Sequence, residues 1–491
     1  MKLFLIIISS IFFSSIAFAD AFTELSNGII KNANSPEFQQ ADKNINDLIN
    51  KGSELSEQGK YTEALNTLNQ ALKEADKLYG KESTAAATVY TTIGSVHMKK
   101  GEYLKSADTL LKAANIYKSS AGGALRPKAY YNLLLLAASI YSEKGKPSKA
   151  LKLAADLQKN IKMLSPEKRA KVYYIIAECY YDKEKFAKAE SICVKREKIL
   201  FHEDVQLSLQ AKYYDLWANC LIGLNKNKEA ISKLHKCVVF SLKTKMPTSF
   251  IGQVRQTLGA TYIKQDDYQN AKKYLLEAIS TFQKIDEDIS FWLGTTYLLL
   301  ARNARFHKKW PEAETYYWKA SKLFEKHLTQ STDELPNDRK TQTAITGLSV
   351  TFKWLAVCLL YNENLTKIDS LYSKLPWFKK ICHSPKLLAD IYKPWIGIYI
   401  NLGKYKRASN LIEKALRIYK KLPQNNQTKN STAFLLWSKA KILHLTGKSK
   451  EAYKLGLQAS KILNISNSNN PKNLSKIKSI LKSMKDGTPF K

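Results

Sequence analysis

Apolar and small residues recur along this chain in two superimposed rhythms. Within short stretches they fall at helical spacing. Lys43 to Gln58 places Leu48, Gly52 and Leu55 on one face, and a second stretch after Gly59-Lys60 continues through Tyr61, Ala64, Leu65, Leu68, Ala71 and Leu72. Over longer distances the small residues form a grid. Ala64, Ser106, Ala150, Ala189, Ala230, Ala271, Ala313, Ala408 and Ala452 recur at intervals of 39 to 44 residues, with one gap of 95 between Ala313 and Ala408. Twelve residues before these rungs lie Gly52, Gly94, Ala138, Ala177, Ala218, Gly259, Ala301 and Ala440, and only Ile396 departs. Seven residues after come Ala71, Ala113, Ala278, Ala320, Ala415 and Ala459, with Leu157, Arg196 and Cys237 as exceptions. Small residues on such a grid let helix backbones approach closely, and a fixed period of this length marks a stacked array of helix pairs.

Punctuation along the chain supports the same division. Gly59, Gly101, Gly145, Gly403 and Gly447 stop one helix before the next begins, and Asn225 and Asp266 occupy that place elsewhere. Ser165-Pro166-Glu167 and Ser384-Pro385 place a capping Ser before a Pro at the first helical position, as does Ser35-Pro36-Glu37. No alternating strand pattern competes. The expected fold is all-α, a solenoid of about ten antiparallel helix pairs.

These stretches resemble the tetratricopeptide repeat family. The clearest are Gly59-Lys60-Tyr61-Thr62-Glu63-Ala64-Leu65 with Ala71, Gly101-Glu102-Tyr103, Asp267-Tyr268-Gln269-Asn270-Ala271 with Ala278, and Gly403-Lys404-Tyr405 with Ala408 and Ala415. The period of about 41 exceeds the usual 34 of the family and resembles its long-helix variant. The resemblance covers roughly residues 40 to 463 and implies a right-handed superhelix. On this reading residues 37–329 hold seven repeats, 330–385 a degenerate repeat, 386–463 a C-terminal pair and 464–491 a polar tail with at most a short cap helix. In the degenerate stretch Ala356 stands where a first-helix small residue belongs, and Ile368 takes the place of the rung.

The resemblance also implies that first helices line a concave groove, with side chains reaching it three residues before and one and four residues after each small residue. Two sets there carry chemistry suited to binding. Tyr174, Glu178 and Tyr181, beside Asp215 and Asn219, combine rigid aromatics with carboxylates and an amide that can bond a peptide backbone. Arg302 and Arg305 form a basic end suited to a carboxylate or phosphate, and Trp437 is the aromatic of the last repeat. The Lys, Asn and Arg set with which some members clamp a C-terminal carboxylate is not reproduced.

Composition changes the picture in three ways. The chain carries 78 Lys plus Arg against 43 Asp plus Glu, a net charge of +35 spread over every repeat. That surface suits an anionic envelope polymer, a membrane surface or nucleic acid as a second class of partner. Arg-rich clusters interleaved with aromatics, the mark of specific nucleic-acid readers, are missing. The N-terminus, with Lys2, the apolar run Leu3–Ile8 and Ile11–Phe13, and Ala17-Phe18-Ala19, reads as a secretory signal peptide ending near residue 19, which implies export to a periplasm or beyond. A membrane anchor is the competing reading of that run, and no later stretch reads as a bilayer span. Export makes the six cysteines worth examining, and both buried thiols and disulfides within repeats, such as Cys179 with Cys193 or Cys220 with Cys237, stay open. Phosphate-loop, serine-elbow and zinc-protease motifs are not found, so a non-enzymatic scaffold of the cell envelope without cofactor or metal is expected, binding a protein or peptide partner.

Overall fold

The computed structural model describes residues 36–119, 127–329, 339–466 and 471–489. The signal-peptide reading and the Ser35 cap lie outside them. Among the described residues the ordered elements are helices, and consecutive ones pair. The pairs are α1 (Pro36–Glu57) with α2 (Tyr61–Tyr79), α3 (Thr84–Lys99) with α4 (Tyr103–Ser119), and α5 (Pro127–Glu143) with α6 (Pro147–Lys159). Next come α7 (Pro166–Asp182), followed by α8 (Phe186–Lys195) and the single turn α9 (Glu197–Leu200), then α10 (Leu207–Gly223) with α11 (Asn227–Lys243), and α12 (Thr248–Lys264). The chain continues through α13 (Tyr268–Phe282), α14 (Ser290–Phe306) with α15 (Trp310–Thr329), and α16 (Arg339–Tyr361) with α17 (Leu365–Tyr372) and α18 (Leu375–Ile381). It ends with α19 (Pro385–Asn401) and α20 (Tyr405–Lys421), α21 (Asn426–Leu445) and α22 (Ser449–Ser466), and a last helix α23 (Pro471–Asp486). Backbone contacts divide the chain into two units, residues 1–265 and 266–491.

The small-residue grid is the packing surface in both units. Every second-helix rung, Ala64 through Ala452, is fully buried, as are Ala138, Ala177, Ala218, Ala301 and Ala440 on the first helices. The approach is close: a Cβ on Gly52 would stand 2.6 Å from Cγ of Leu68, and one on Gly94 2.8 Å from Cδ2 of Leu110. First helices of neighbouring repeats also touch, as in α1 with α3, α5 with α7, α7 with α10, α14 with α16 and α16 with α19. Contacts between successive second helices are sparser, so first helices form the inner layer of each unit.

The turn inside each pair follows one design. Gly59, Gly101, Gly145, Gly403 and Gly447 adopt positive φ, between 68° and 84°. Asn225 and Asp266 do the same at 59° and 60°, and so do Glu184, Lys308 and Glu363 at 54° to 56°. The next residue's N–H then bonds back to a carbonyl five residues earlier, as from Lys60 to Leu55, Lys309 to Ala304 and Asn364 to Leu359. This closes the helix in the Schellman manner. Ser165 and Ser384 cap α7 and α19 as the sequence predicts, accepting from the N–H of Lys168 and Leu387.

Within the degenerate stretch the described residues 339–381 keep the helix-turn-helix arrangement of the other repeats. Ala356 and Ile368 are buried at 0% and 1% exposure, and Glu363 makes the positive-φ turn between them. Helix α16 packs against α14, α15 and α19. It also corrects one expectation: residues 340–361 are long and apolar enough to cross a membrane, with mean hydropathy 1.6. Their apolar character has a packing cause, since 61% of that stretch is buried inside the fold. The tail contributes α23, which closes the second unit by seating Leu481 and Met484 against Ala440 and Ala452. All six cysteines are buried free thiols.

Candidate ligand-binding groove

In the first unit the inner face of repeats three to five gathers ionisable side chains from α5, α7 and α10. Lys171, Tyr174 and Glu178 sit at i, i+3 and i+7 on α7, and Lys212, Asp215 and Asn219 repeat that placement 41 residues later on α10. All six are half-buried, on the stripe of each first helix left open by packing. Glu178 ties the set together. It accepts hydrogen bonds from Ser142 Oγ at 2.6 Å and from the Tyr174 hydroxyl at 3.3 Å, linking α5 to α7. The Tyr213 hydroxyl donates to the Ala170 carbonyl at 2.6 Å, and its ring meets Tyr174 edge-on with centroids 5.2 Å apart, which docks α10 on α7. Asn219 Nδ2 donates to Asp215 Oδ2 at 3.1 Å.

Glu143, at the end of α5, belongs to the same cluster. Burial, reinforced by the charge of Glu178, pushes its carboxyl up to about 7 against the pull of Lys212, Lys144 and Lys171. Burial holds the ammonium groups of Lys171 and Lys212 below the usual lysine range, with mutual repulsion adding at Lys171 and the two glutamates opposing at Lys212. Tyr174 is raised by burial and by Glu178, Asp215 and Glu143. Carboxylates, ammonium groups and an amide held half-buried on one helix face can exchange internal partners for those of a charged or amide-bearing ligand.

The remaining candidates separate. Tyr181 leans on Phe186 across the turn of its own repeat, with centroids 5.5 Å apart. In the second unit the Arg305 guanidinium sits 4.5 Å and 3.7 Å from the ring centroids of Phe306 and Trp354, and beside Tyr317. Arg302 is exposed over Phe306. Trp437 packs against the Ala440, Ala452, Leu481 and Met484 cluster formed with the last helix. Lys171, Lys212 and Glu143 were missed by the groove spacing taken from the resemblance. The two lysines were findable, being 41 residues apart in the same phase; Glu143 stands five residues after Ala138, as Glu57 and Asp182 stand after Gly52 and Ala177, a position outside the groove spacing. Among the described residues no group of three or more His, Cys, Asp or Glu could hold a metal ion.

The architecture is that of an α-solenoid of helix pairs with a side-chain-lined inner face. Models of the tetratricopeptide repeat match residues 48–119, 251–326 and 397–422. The chain is a tetratricopeptide repeat protein. No curated protein matches it. Among solved structures it is similar to a signal-transduction ATPase with a tetratricopeptide repeat sensor from Pyrococcus horikoshii, at 17% identity and TM-score 0.51, covering 84% of this chain and 69% of that one. It is also similar to the apo form of the quorum sensor NprR from B. thuringiensis, at 14% identity and TM-score 0.46 over 75% and 100% of the two chains. A third is aspartyl phosphate phosphatase F from Bacillus subtilis, at 16% identity and TM-score 0.41 over 80% and 97%.

Proposed function

We propose that this protein is a non-enzymatic scaffold of the cell envelope that holds a protein or peptide partner along its inner helices. The observation that carries this reading is the duplicated set Lys171, Tyr174, Glu178 and Lys212, Asp215, Asn219, presented in phase by adjacent first helices. Such a set meets an extended chain at regular intervals, because neighbouring helices stand ~10 Å apart and three extended residues span about that distance. The chemistry offered is recognition: charges of both signs, an amide and a tyrosine ring. The N-terminal apolar run supports export, and the excess of lysine supports a second, weaker attraction to anionic surfaces.

The test is site-specific photocrosslinking of the full chain in its native envelope. A crosslinker at Tyr174 should capture a discrete partner whose yield changes little with ionic strength. One at the exposed second-helix residue Lys152 should report only salt-sensitive association. Discrete products from Lys152 and none from Tyr174 would sink the groove reading.

A further inference from the structure

Away from its inner face, the first unit has an edge where second helices end and the next first helices begin. Three successive connections meet there: residues 160–165 between α6 and α7, 196–206 between α8 and α10, and 244–247 between α11 and α12. Met163, Val194, Leu207, Val239 and Leu242 stand on or beside these connections, each 39% to 64% exposed. Among the described residues of this unit, Leu104 is the only other large apolar side chain exposed to that degree. Single exposed apolar residues are ordinary on a surface; five gathered on three neighbouring connections mark an interaction site. Val239 lies on the side of α11 opposite the buried stripe Ala230, Leu234, Cys237 and Ser241, so packing within the fold does not account for it.

Aromatic packing brings the parts of this edge together. Phe201 stacks on Tyr214 with ring centroids 4.4 Å apart, and Tyr214 meets Phe240 at 5.4 Å, which joins the connection after α8 to α10 and to the end of α11. The Arg196 guanidinium sits 4.9 Å from the Tyr173 ring centroid and adds α7. Exposed cations alternate with the apolar groups: Lys195, Arg196 and Lys198 follow Val194, and Lys236, Lys243 and Lys245 surround Val239 and Leu242. Among the described residues no carboxylate is in ion-pair distance of these five lysines. Glu197, Glu203 and Asp204 offset charge on the connection after α8, but from Glu229 to Asp266 the chain carries no acid at all.

We infer that this edge docks the protein on an anionic bilayer surface, with Val194, Val239 and Leu242 entering the acyl boundary and the flanking lysines reaching headgroup phosphates. The inference goes beyond the scaffold reading and is independent of what the inner face holds. Shape and charge select the occupant. The apolar groups project singly from helix ends with lysines between them, which suits a deformable layer of headgroups over hydrocarbon. A folded protein partner needs a contiguous apolar core at its interface. A second copy would bring the same unpaired cations, and another net charge of +35, against this chain's own. Lysines near an anionic surface supply salt-sensitive attraction and inserted apolar side chains supply a salt-resistant share, the two signals that stable docking requires.

The test uses the full chain and sedimentation with vesicles of phosphatidylcholine mixed with phosphatidylglycerol. The wild type should bind these and not vesicles of phosphatidylcholine alone. Val239→Ser with Leu242→Ser changes two exposed side chains, so the melting temperature should hold while vesicle affinity falls at least about tenfold. Lys236→Gln with Lys243→Gln and Lys245→Gln should weaken binding by about tenfold or more. Lys414→Gln with Lys420→Gln and Lys421→Gln removes the same charge from exposed sites on α20 and should change binding less than about twofold. An environment-sensitive fluorophore on Val239→Cys should shift to the blue on mixed vesicles, and one on the exposed Lys152→Cys should not. The inference is overturned if mixed vesicles do not bind, if the serine pair binds them as tightly as wild type, or if the α20 lysines matter as much as those of α11. It is also overturned if the fluorophore at position 239 shifts without vesicles as protein concentration rises, the mark of an interface between copies, or shifts equally with polyglutamate, the mark of an acidic protein partner.

Discussion

The hydroxyl of Ser106 donates a 2.7 Å hydrogen bond to the backbone carbonyl of Gly94, twelve residues earlier on the facing helix. That bond explains why a serine can stand on a rung otherwise held by alanine. The two backbones are near enough for a side chain of two heavy atoms to bridge them, and a buried hydroxyl finds its partner without distorting either helix.

The same closeness sets the sign of glycine substitutions. Gly52→Ala and Gly94→Ala each place a methyl group under 3 Å from a buried leucine. Overpacking of this kind costs about 1–3 kcal/mol and outweighs the ~1 kcal/mol of helix preference that alanine brings. Both variants should lower the urea midpoint. Gly397→Ala, with no neighbour to strike, should raise it.

Three turns carry avoidable backbone strain. Glu184, Lys308 and Glu363 hold the left-handed conformation that glycine adopts at the equivalent place in other repeats. A side chain there costs roughly 1–2 kcal/mol. Lys308→Gly and Glu363→Gly should therefore stabilise the second unit by about 1 kcal/mol, after allowing for the greater freedom of glycine when unfolded. Gly145→Ala should destabilise the first unit by a similar amount. Thermal unfolding of single and paired variants checks both signs.

Glu143 predicts a pH response. Its folded carboxyl titrates at about 7 against an ordinary 4.5, so the folded protein binds the extra proton. Stability is then highest below the ordinary value and falls as pH rises through the interval to about 7, beyond which the full penalty remains. The charged groups facing it are Glu178, Lys212, Lys144 and Lys171. Glu143→Gln should flatten this slope, so its midpoint relative to wild type should rise between about pH 5 and about pH 8. A variant that tracks wild type at both values would contradict the assignment.

The last helix should act as a lid on the final repeat. Met484 is fully buried against Ala440 and Ala452, beside Trp437. Met484→Ala should cost about 2–5 kcal/mol locally, seen as faster amide exchange in α22 and α23 and altered Trp437 emission. Exchange in α14 and α15 should not change.

Thiol chemistry supplies an independent check on packing. All six cysteines are buried, and burial pushes the Cys193 and Cys358 thiols up to about 12. A water-soluble thiol reagent should leave the native protein unmodified and label every cysteine in denaturant. Partial native labelling at Cys193 or Cys237 would show that the repeats carrying them open readily.

Much of the architecture was legible because close helix packing leaves a trace in residue size. The rungs Ala64 to Ala452 are fully buried, and Ala356 with Ile368 located a pair even where glycine and alanine had worn away. The turns at Glu184, Lys308 and Glu363 were hidden, because left-handed backbone announces itself only through glycine or asparagine. The binding surface was harder to read. Groove residues are defined by phase and by what leaves them uncovered, so Glu143 was invisible. Trp437 resembled its groove counterparts until α23 appeared from a stretch of lysine, serine and asparagine. The apolar run in α16 shows the reverse limit, since hydropathy cannot distinguish a helix covered by neighbours from one bound for lipid.

The rungs also dictate how such a chain can change length. Inserting one residue inside a helix turns everything beyond it by about 100° and would carry Glu229 into the place of Ala230 or Glu312 into that of Ala313. Inserting a whole unit returns every side chain to its old bearing. Heritable growth or shrinkage is thus quantised in steps of about 41 residues, and each step adds or removes one inner-face stripe whose chemistry can then drift without unsettling its neighbours.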